Sequence, residues 1–144
     1  KNGPYVIGVA GNYNALHSMF QSDLPKPPRG LENYDRFVRS TLIPAVKKIE
    51  NEANVEHGEA HYIFAFEKNV YLLDGTGFFI STVRDLVVIG SGSLFTRGYL
   101  LGINENSESL SETDIESALR AAANNDPGTS GPFHVKRFSF DQEN

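Results

Sequence analysis

The sequence predicts an α+β fold in which sheets are covered by pairs of helices. Two observations carry this. Apolar runs cluster in the middle of the chain, and helical stretches come in pairs, which departs from a strict strand–helix–strand alternation. Scale sets the domain count: 144 residues make one domain's worth of chain, so a single domain over 1–144 is expected. Such a chain buries about two-thirds of its unfolded surface without staples.

The elements follow in order. "PYVIGVAG" (4–11) is a short apolar run ending in glycine and reads as a buried strand. "NYNALHSMFQSD" follows as a helix, with Asn12 or Asn14 as its cap and Leu16, Met19 and Phe20 recurring at helical spacing. "LPKPPRG" is a loop, because its three prolines remove backbone donors. From residue 32 to 54, Tyr34, Phe37, Val38, Leu42, Ala45, Val46 and Ile49 form one apolar stripe, so a long amphipathic helix is expected. Pro44 inside it predicts a kink or break near residues 42–43. Lys47 and Lys48 belong to its solvated face.

"VEHGEA" is a turn. Strands are then expected at 63–66 and 70–73, with Lys68-Asn69 as the tight turn between them. "DLVVIGSG" (85–92) reads as a further buried strand, and "SLFTRGYLLGI" as a short helix with Leu94, Phe95, Tyr99 and Leu100 inward. In "LSETDIESALRAAANND", Ser111 and Asp114 form a variant capping box, with Thr113 and Glu116 as a competing one. Asp126-Pro127-Gly128 stops that helix. "PFHVKRFSF" alternates at Phe133, Val135, Phe138 and Phe140 and reads as a last strand.

Composition excludes several functions. There are no cysteines, so neither disulfides nor thiolate metal sites exist, which fits a reducing, cytoplasmic setting. The net charge of −5, without blocks of like charge, disfavours nucleic acid. No apolar run nears the roughly 18 residues of a membrane span, and no signal peptide is expected. The four histidines show no metal-ligand spacing and no serine–histidine–aspartate arrangement, so surface or core roles suit them better. No metal and no cofactor is expected.

Two loops attract attention. "IGSGS" (89–93) fails the dinucleotide fingerprint, whose third glycine is replaced by Phe95. It also fails the phosphate loop and the nucleophile elbow on spacing. A sharp turn with Ser93 capping the next helix is the plain reading. "NDPGTSG" (125–131) reads either as a turn opened by Asp126, or as a carboxylate with hydroxyls at Thr129 and Ser130 arranged around a proton network. A nucleotide-binding domain built on Gly8, Gly11, Gly90 and Gly92 is weaker, because its acidic and basic partners are missing.

Taken together, "IGVAGNYNAL", the long helix, "DLVVIGSGS" and "SALRAAANNDPGTSGPFHV" resemble, in order and spacing, the proteasome β-type subunits and the HslV-type peptidases. The resemblance runs through nearly the whole chain. It implies a four-layer αββα sandwich of the N-terminal-nucleophile hydrolase class. It also implies a threonine at the chain terminus that serves as nucleophile, with its own α-amine as base.

Residue by residue, it implies that the Gly11 backbone N–H forms the oxyanion hole. Ser91, Asp126 and Thr129 would tune the nucleophile's amine, and Val9 and Tyr13 would line the substrate pocket. Ser130 departs from the family's usual Gly at that place. Lys1 cannot act as an N-terminal hydroxyl nucleophile, and the segment that carries threonine, acid and lysine in the family is not found ahead of it. Two expectations follow. One is a subunit of a ring-shaped peptidase acting on unfolded polypeptide, homo-oligomeric and served by an ATP-dependent unfoldase, with its threonine upstream of Lys1. The other is an assembly or scaffold protein that keeps the fold without the chemistry.

Overall fold

The computed structural model describes residues 3–75, 79–81, 86–103 and 110–138, with 79–81 as backbone only. The chain divides into two compact units, Lys1–Val83 and Arg84–Asn144.

The first unit holds a four-stranded antiparallel sheet in the order β1 (Val6–Gly11), β2 (Ala60–Phe66), β3 (Asn69–Leu73), β4 (Phe79–Ser81). Val6 pairs with Ala65 and Gly11 with Ala60 across β1 and β2. Strand alternation puts Ile7, Tyr62, Phe64, Phe66, Tyr71 and Leu73 on one buried face. Against it lie α1 (Tyr13–Gln21) and a longer helical stretch, which bring Ala15, Met19, Val38, Leu42, Val46 and Ile49 into the same core. Phe66 is the hub of the aromatic packing, meeting Tyr5, Tyr34 and Phe37 edge-on and Tyr71 nearly face to face. Burial pushes the Tyr71 hydroxyl up to about 12, and the nearby Asp35 carboxylate adds to the effect. The opposite sheet face is also apolar: Val6, Ala10, Ile63, Ala65, Val70 and Leu72 are all half-buried.

The long helix has neither a break nor a simple kink. It runs as α2 (Asp35–Phe37), a π-helical turn (Val38–Leu42) and α3 (Ile43–Glu52). In the wide turn, the Ile43 N–H donates to the Val38 carbonyl, five residues back. Pro44 explains its position: it has no N–H to give, and its ring would crowd the carbonyl four residues earlier in regular α geometry. The wide turn also keeps the apolar stripe in line. Tyr34, Val38, Leu42 and Val46 are spaced by four and all buried, whereas a regular helix of 3.6 residues per turn would carry them off the face. Lys47 and Lys48 are exposed, as expected.

Other expectations shift. Phe20 is exposed, and Ala15 with Met19 forms the inner stripe of α1. The β2–β3 turn centres on Glu67 and Lys68, both with positive φ, rather than on Lys68-Asn69. A two-residue hairpin turn of that hand needs positive φ at both central positions. Asn69 opens β3 and its Nδ2 donates to the Glu67 carbonyl at 2.8 Å.

The second unit contains α4 (Ser93–Ile103) and α5 (Glu112–Asn125) packed together. Ser111 and Asp114 form the reciprocal capping box at the start of α5. The buried residues of the pair are Thr96, Leu100, Ala118 and Ala122. The small side chains on α5 let α4 approach on a narrow stripe of four-residue spacing. Leu94, Phe95 and Tyr99, expected inward, are therefore exposed, Leu94 by 82%. Residues 86–89 and 132–138 carry no assigned strand. An apolar run becomes a strand only where a neighbouring backbone exchanges hydrogen bonds with it, and none does so here among the described residues. Half-burial at Phe133 and Val135, with exposed His134 between, keeps the alternation without the ladder. Lys1, Asp85 and Phe140 lie outside the described residues.

Candidate functional site

In the first unit the chain turns from β1 into α1 at Gly11, whose φ is +107°. A Cβ there would collide with the Glu59 carbonyl oxygen and stand 3.2 Å from the Ala60 Cα, so only glycine fits. Asn12 caps α1, its Oδ1 accepting the Asn14 N–H at 2.8 Å. The other end of the same amide donates to Glu59 Oε2 at 2.8 Å, and the Asn12 N–H donates to the Glu59 carbonyl at 3.0 Å.

This last bond has a consequence for Gly11. Antiparallel ladders alternate hydrogen-bonded and non-hydrogen-bonded pairs. With Asn12 bonded to Glu59, the preceding pair, Gly11 with Ala60, is of the second kind. The Gly11 N–H is therefore directed away from β2. Of the two flanking residues, Val9 is half-buried against the hydrophobic core. Tyr13 is 74% exposed and stacks on His17, with ring centroids 6.4 Å apart.

In the second unit the structure brings Ser91, Asp126 and Thr129 together. Gly90 takes a φ of +99° and turns the chain. The helix begins at Ser93 itself, so Gly92 rather than Ser93 occupies the capping position, its carbonyl accepting the Thr96 N–H at 3.0 Å. At the end of α5, Asp126 donates its N–H to the Ala122 carbonyl at 2.8 Å. A tight turn follows, closed by the Thr129 N–H on the Asp126 carbonyl at 3.0 Å, with Pro127 at its second position.

The side chains then lock this turn to the GSGS loop. Ser91 Oγ and Thr129 Oγ1 both donate to Asp126 Oδ2, each at 2.6 Å. The Gly128 N–H reaches Asp126 Oδ1 at 3.3 Å. The Ser91 hydroxyl, then the Thr129 hydroxyl, hold the Asp126 carboxyl below its ordinary value, with the Gly128 N–H adding to the effect. Two glycines make the approach possible. A Cβ on Gly92 would run into the Thr129 hydroxyl and lie 3.1 Å from the Ala122 Cβ. One on Gly128 would sit 2.5 Å from Ser91 Oγ. Ser130 is exposed.

The arrangement has a clear chemical sense. An ionised carboxylate accepts a hydrogen bond from each hydroxyl, so each hydroxyl oxygen is left presenting its lone pairs. Two oriented acceptors backed by a negative charge suit an amine or ammonium donor. No three histidine, aspartate or glutamate side chains gather in a metal-binding group among the described residues. His61 Nδ1 accepts the Gly75 N–H at 3.3 Å.

No local motif marks Glu59 as a partner of the Gly11 turn. Its only signal was position, one residue before β2 and opposite Asn12 once the hairpin register is known. Nor does any local motif mark Gly92 and Gly128 as needed for loop-to-loop contact.

No family model matches the chain. It is 25% identical over 122 residues to the ATP-dependent protease subunit HslV of Caldanaerobacter subterraneus subsp. tengcongensis, which covers 85% of this chain and 67% of that protein. Among solved structures, Thiobacillus denitrificans BPH in complex with epoxomicin matches with a TM-score of 0.66 at 14% identity, covering 92% of this chain and 73% of that one. Eukaryotic HslV from Trypanosoma brucei matches with a TM-score of 0.53 at 21% identity, over 90% and 72% of the two chains. In sequence and in fold, this chain is similar to the proteasome β-type and HslV-type subunits.

Proposed function

We propose that this chain is a subunit of a threonine-type peptidase of the N-terminal-nucleophile class, cleaving peptide bonds of unfolded polypeptide inside a ring of identical subunits. On this reading the nucleophilic threonine precedes Lys1 in the full-length protein, and residues 1–144 form one proteasome-like domain. A cytoplasmic setting and an ATP-dependent unfoldase as partner go with it; the HslV relative is itself named ATP-dependent.

The carrying observation is the pair of hydroxyls, Ser91 and Thr129, oriented by one Asp126 oxygen. In the reaction, the threonine hydroxyl adds to the scissile carbonyl while its α-amine takes the proton. The Ser91 and Thr129 oxygens accept hydrogen bonds from that amine and favour its protonated form. The Gly11 N–H donates to the developing oxyanion. The amine then returns the proton to the leaving nitrogen, and water hydrolyses the acyl-enzyme. Val9 and Tyr13 flank the substrate side chain. A four-layer αββα sandwich is supported by the sheet of the first unit, which is apolar on both faces and so needs a layer over each.

The test is hydrolysis of a fluorogenic peptide by the full-length, assembled protein. The reading expects turnover that drops steeply in Asp126→Asn. Rings that form but do not hydrolyse any of a peptide panel favour the scaffold reading instead.

A further inference from the structure

Gly11 is held from one side by a single residue. The Glu59 carbonyl takes the Asn12 N–H at 3.0 Å and fills the space a Gly11 side chain would need. The Glu59 carboxylate takes the Asn12 Nδ2 at 2.8 Å and, with the same oxygen, the Glu56 N–H at 3.1 Å. Main chain and side chain of Glu59 therefore grip Asn12 at two points, and Asn12 is the residue that both follows Gly11 and caps α1.

The cap alone does not require this. Asn12 Oδ1 satisfies the Asn14 N–H, and the Nδ2 end of the amide contributes nothing to capping. Serine or aspartate would cap as well, but the serine hydroxyl stands one bond closer to the backbone than the amide nitrogen, and aspartate would oppose Glu59 with a like charge. Asparagine is the cap residue that also carries a donor directed at a carboxylate. The loop that carries Glu59 is itself anchored, because the Gly58 N–H donates to the Gly75 carbonyl at 2.8 Å. Gly75 has no room for a side chain, with the Gly58 Cα 2.5 Å from where its Cβ would stand.

We propose that Glu59 is a positioning residue for the reaction: through its carboxylate on Asn12 it fixes the direction of the Gly11 N–H, the oxyanion donor. This rests on the peptidase reading above. An oxyanion donor acts only if its N–H is aimed before charge develops, and a small misdirection costs rate without weakening ground-state binding. Glu59 meets neither substrate nor the reacting atoms in this role.

The test compares Glu59→Ala, Glu59→Gln and Asn12→Ser in the full-length assembled protein, reading kcat and KM separately on a fluorogenic peptide. Glu59→Gln keeps an acceptor for Asn12 Nδ2. Asn12→Ser keeps the cap and replaces the amide donor by a shorter hydroxyl. The expected result is a kcat roughly 10- to 100-fold lower in Glu59→Ala and Asn12→Ser, with KM within about twofold and substantial recovery in Glu59→Gln. A kcat within about twofold of wild type in Asn12→Ser overturns the proposal, even if Glu59→Ala misfolds. So does a loss confined to KM. A wild-type protein without any turnover overturns the peptidase reading itself and takes this inference with it, which separates the two failures.

Discussion

The Ser91 hydroxyl donates to Asp126 Oδ2 at 2.6 Å, joining two loops that lie 35 residues apart in the chain. That bond and its twin from Thr129 make Asp126 the centre of the second unit's polar cluster. Replacing Asp126 by Asn keeps the shape and removes the charge. With the amide oxygen facing the Gly128 N–H, the NH2 group faces Ser91 and Thr129, which lose the oxygen that accepted from both and no longer hold their lone pairs in place. Asp126→Asn is expected to lower peptide turnover by about 10²-fold or more, in the range of a lost proton-handling group. Steady-state kinetics on the assembled protein checks this.

The same carboxylate sets a pH dependence. Its folded-state pKa is depressed, so its contribution to stability is present above the ordinary carboxylate value and lost as pH falls through the lowered one. NMR titration of the Asp126 carboxyl is expected to give a midpoint below 3.8 in the wild type. In Ser91→Ala the midpoint moves up, because the largest cause of the depression is gone. An unchanged midpoint in that variant contradicts the assignment.

Close approach of the two loops predicts a stability effect at Gly92. Alanine there meets the Thr129 hydroxyl and the Ala122 Cβ. Gly92→Ala is expected to destabilise by roughly 1–3 kcal/mol, as overpacking does. Adding Thr129→Ala removes the main obstacle, so the double variant is expected to be less destabilised than the sum of the two. Urea unfolding of the four proteins in the cycle measures that difference.

Much of this geometry was legible locally. An asparagine cap at 12 or 14, a capping box at Ser111–Asp114 or Thr113–Glu116 and the stop at Asp126-Pro127-Gly128 each depend on a few neighbouring residues, and the structure has Asn12, Ser111–Asp114 and the stop. The stripe from Tyr34 to Ile49 was legible too, but its four-residue spacing concealed a π turn that only the proline made necessary. What could not be read depends on partners distant in sequence. Leu94, Phe95 and Tyr99 look inward by composition, yet α4 packs on the small residues Ala118 and Ala122 through a narrower stripe. Residues 86–89 have strand-like chemistry but no ladder among the described residues. At the candidate site, the glycines were visible as turn formers, while their steric role appears only once the facing loop is in place.

In the first unit, the buried ring of Tyr62 donates its hydroxyl to Glu50 Oε1 at 2.7 Å. Burial raises the Tyr62 hydroxyl pKa, and the Glu50 carboxylate raises it further, so the phenol stays a donor throughout the neutral range. Tyr62→Phe removes only this hydrogen bond and is expected to cost roughly 1 kcal/mol. Chemical denaturation followed by circular dichroism is sufficient to see it.

The central claim is a threonine-based peptidase, and covalent capture tests it most directly. A structural neighbour was solved in complex with epoxomicin. Full-length protein is incubated with epoxomicin, and the site of modification is mapped by mass spectrometry. The account predicts one adduct per subunit, on a threonine at the mature N-terminus, with peptide hydrolysis lost in proportion. A full-length protein that hydrolyses no peptide and remains unmodified at saturating inhibitor, or an adduct on any other residue, contradicts it.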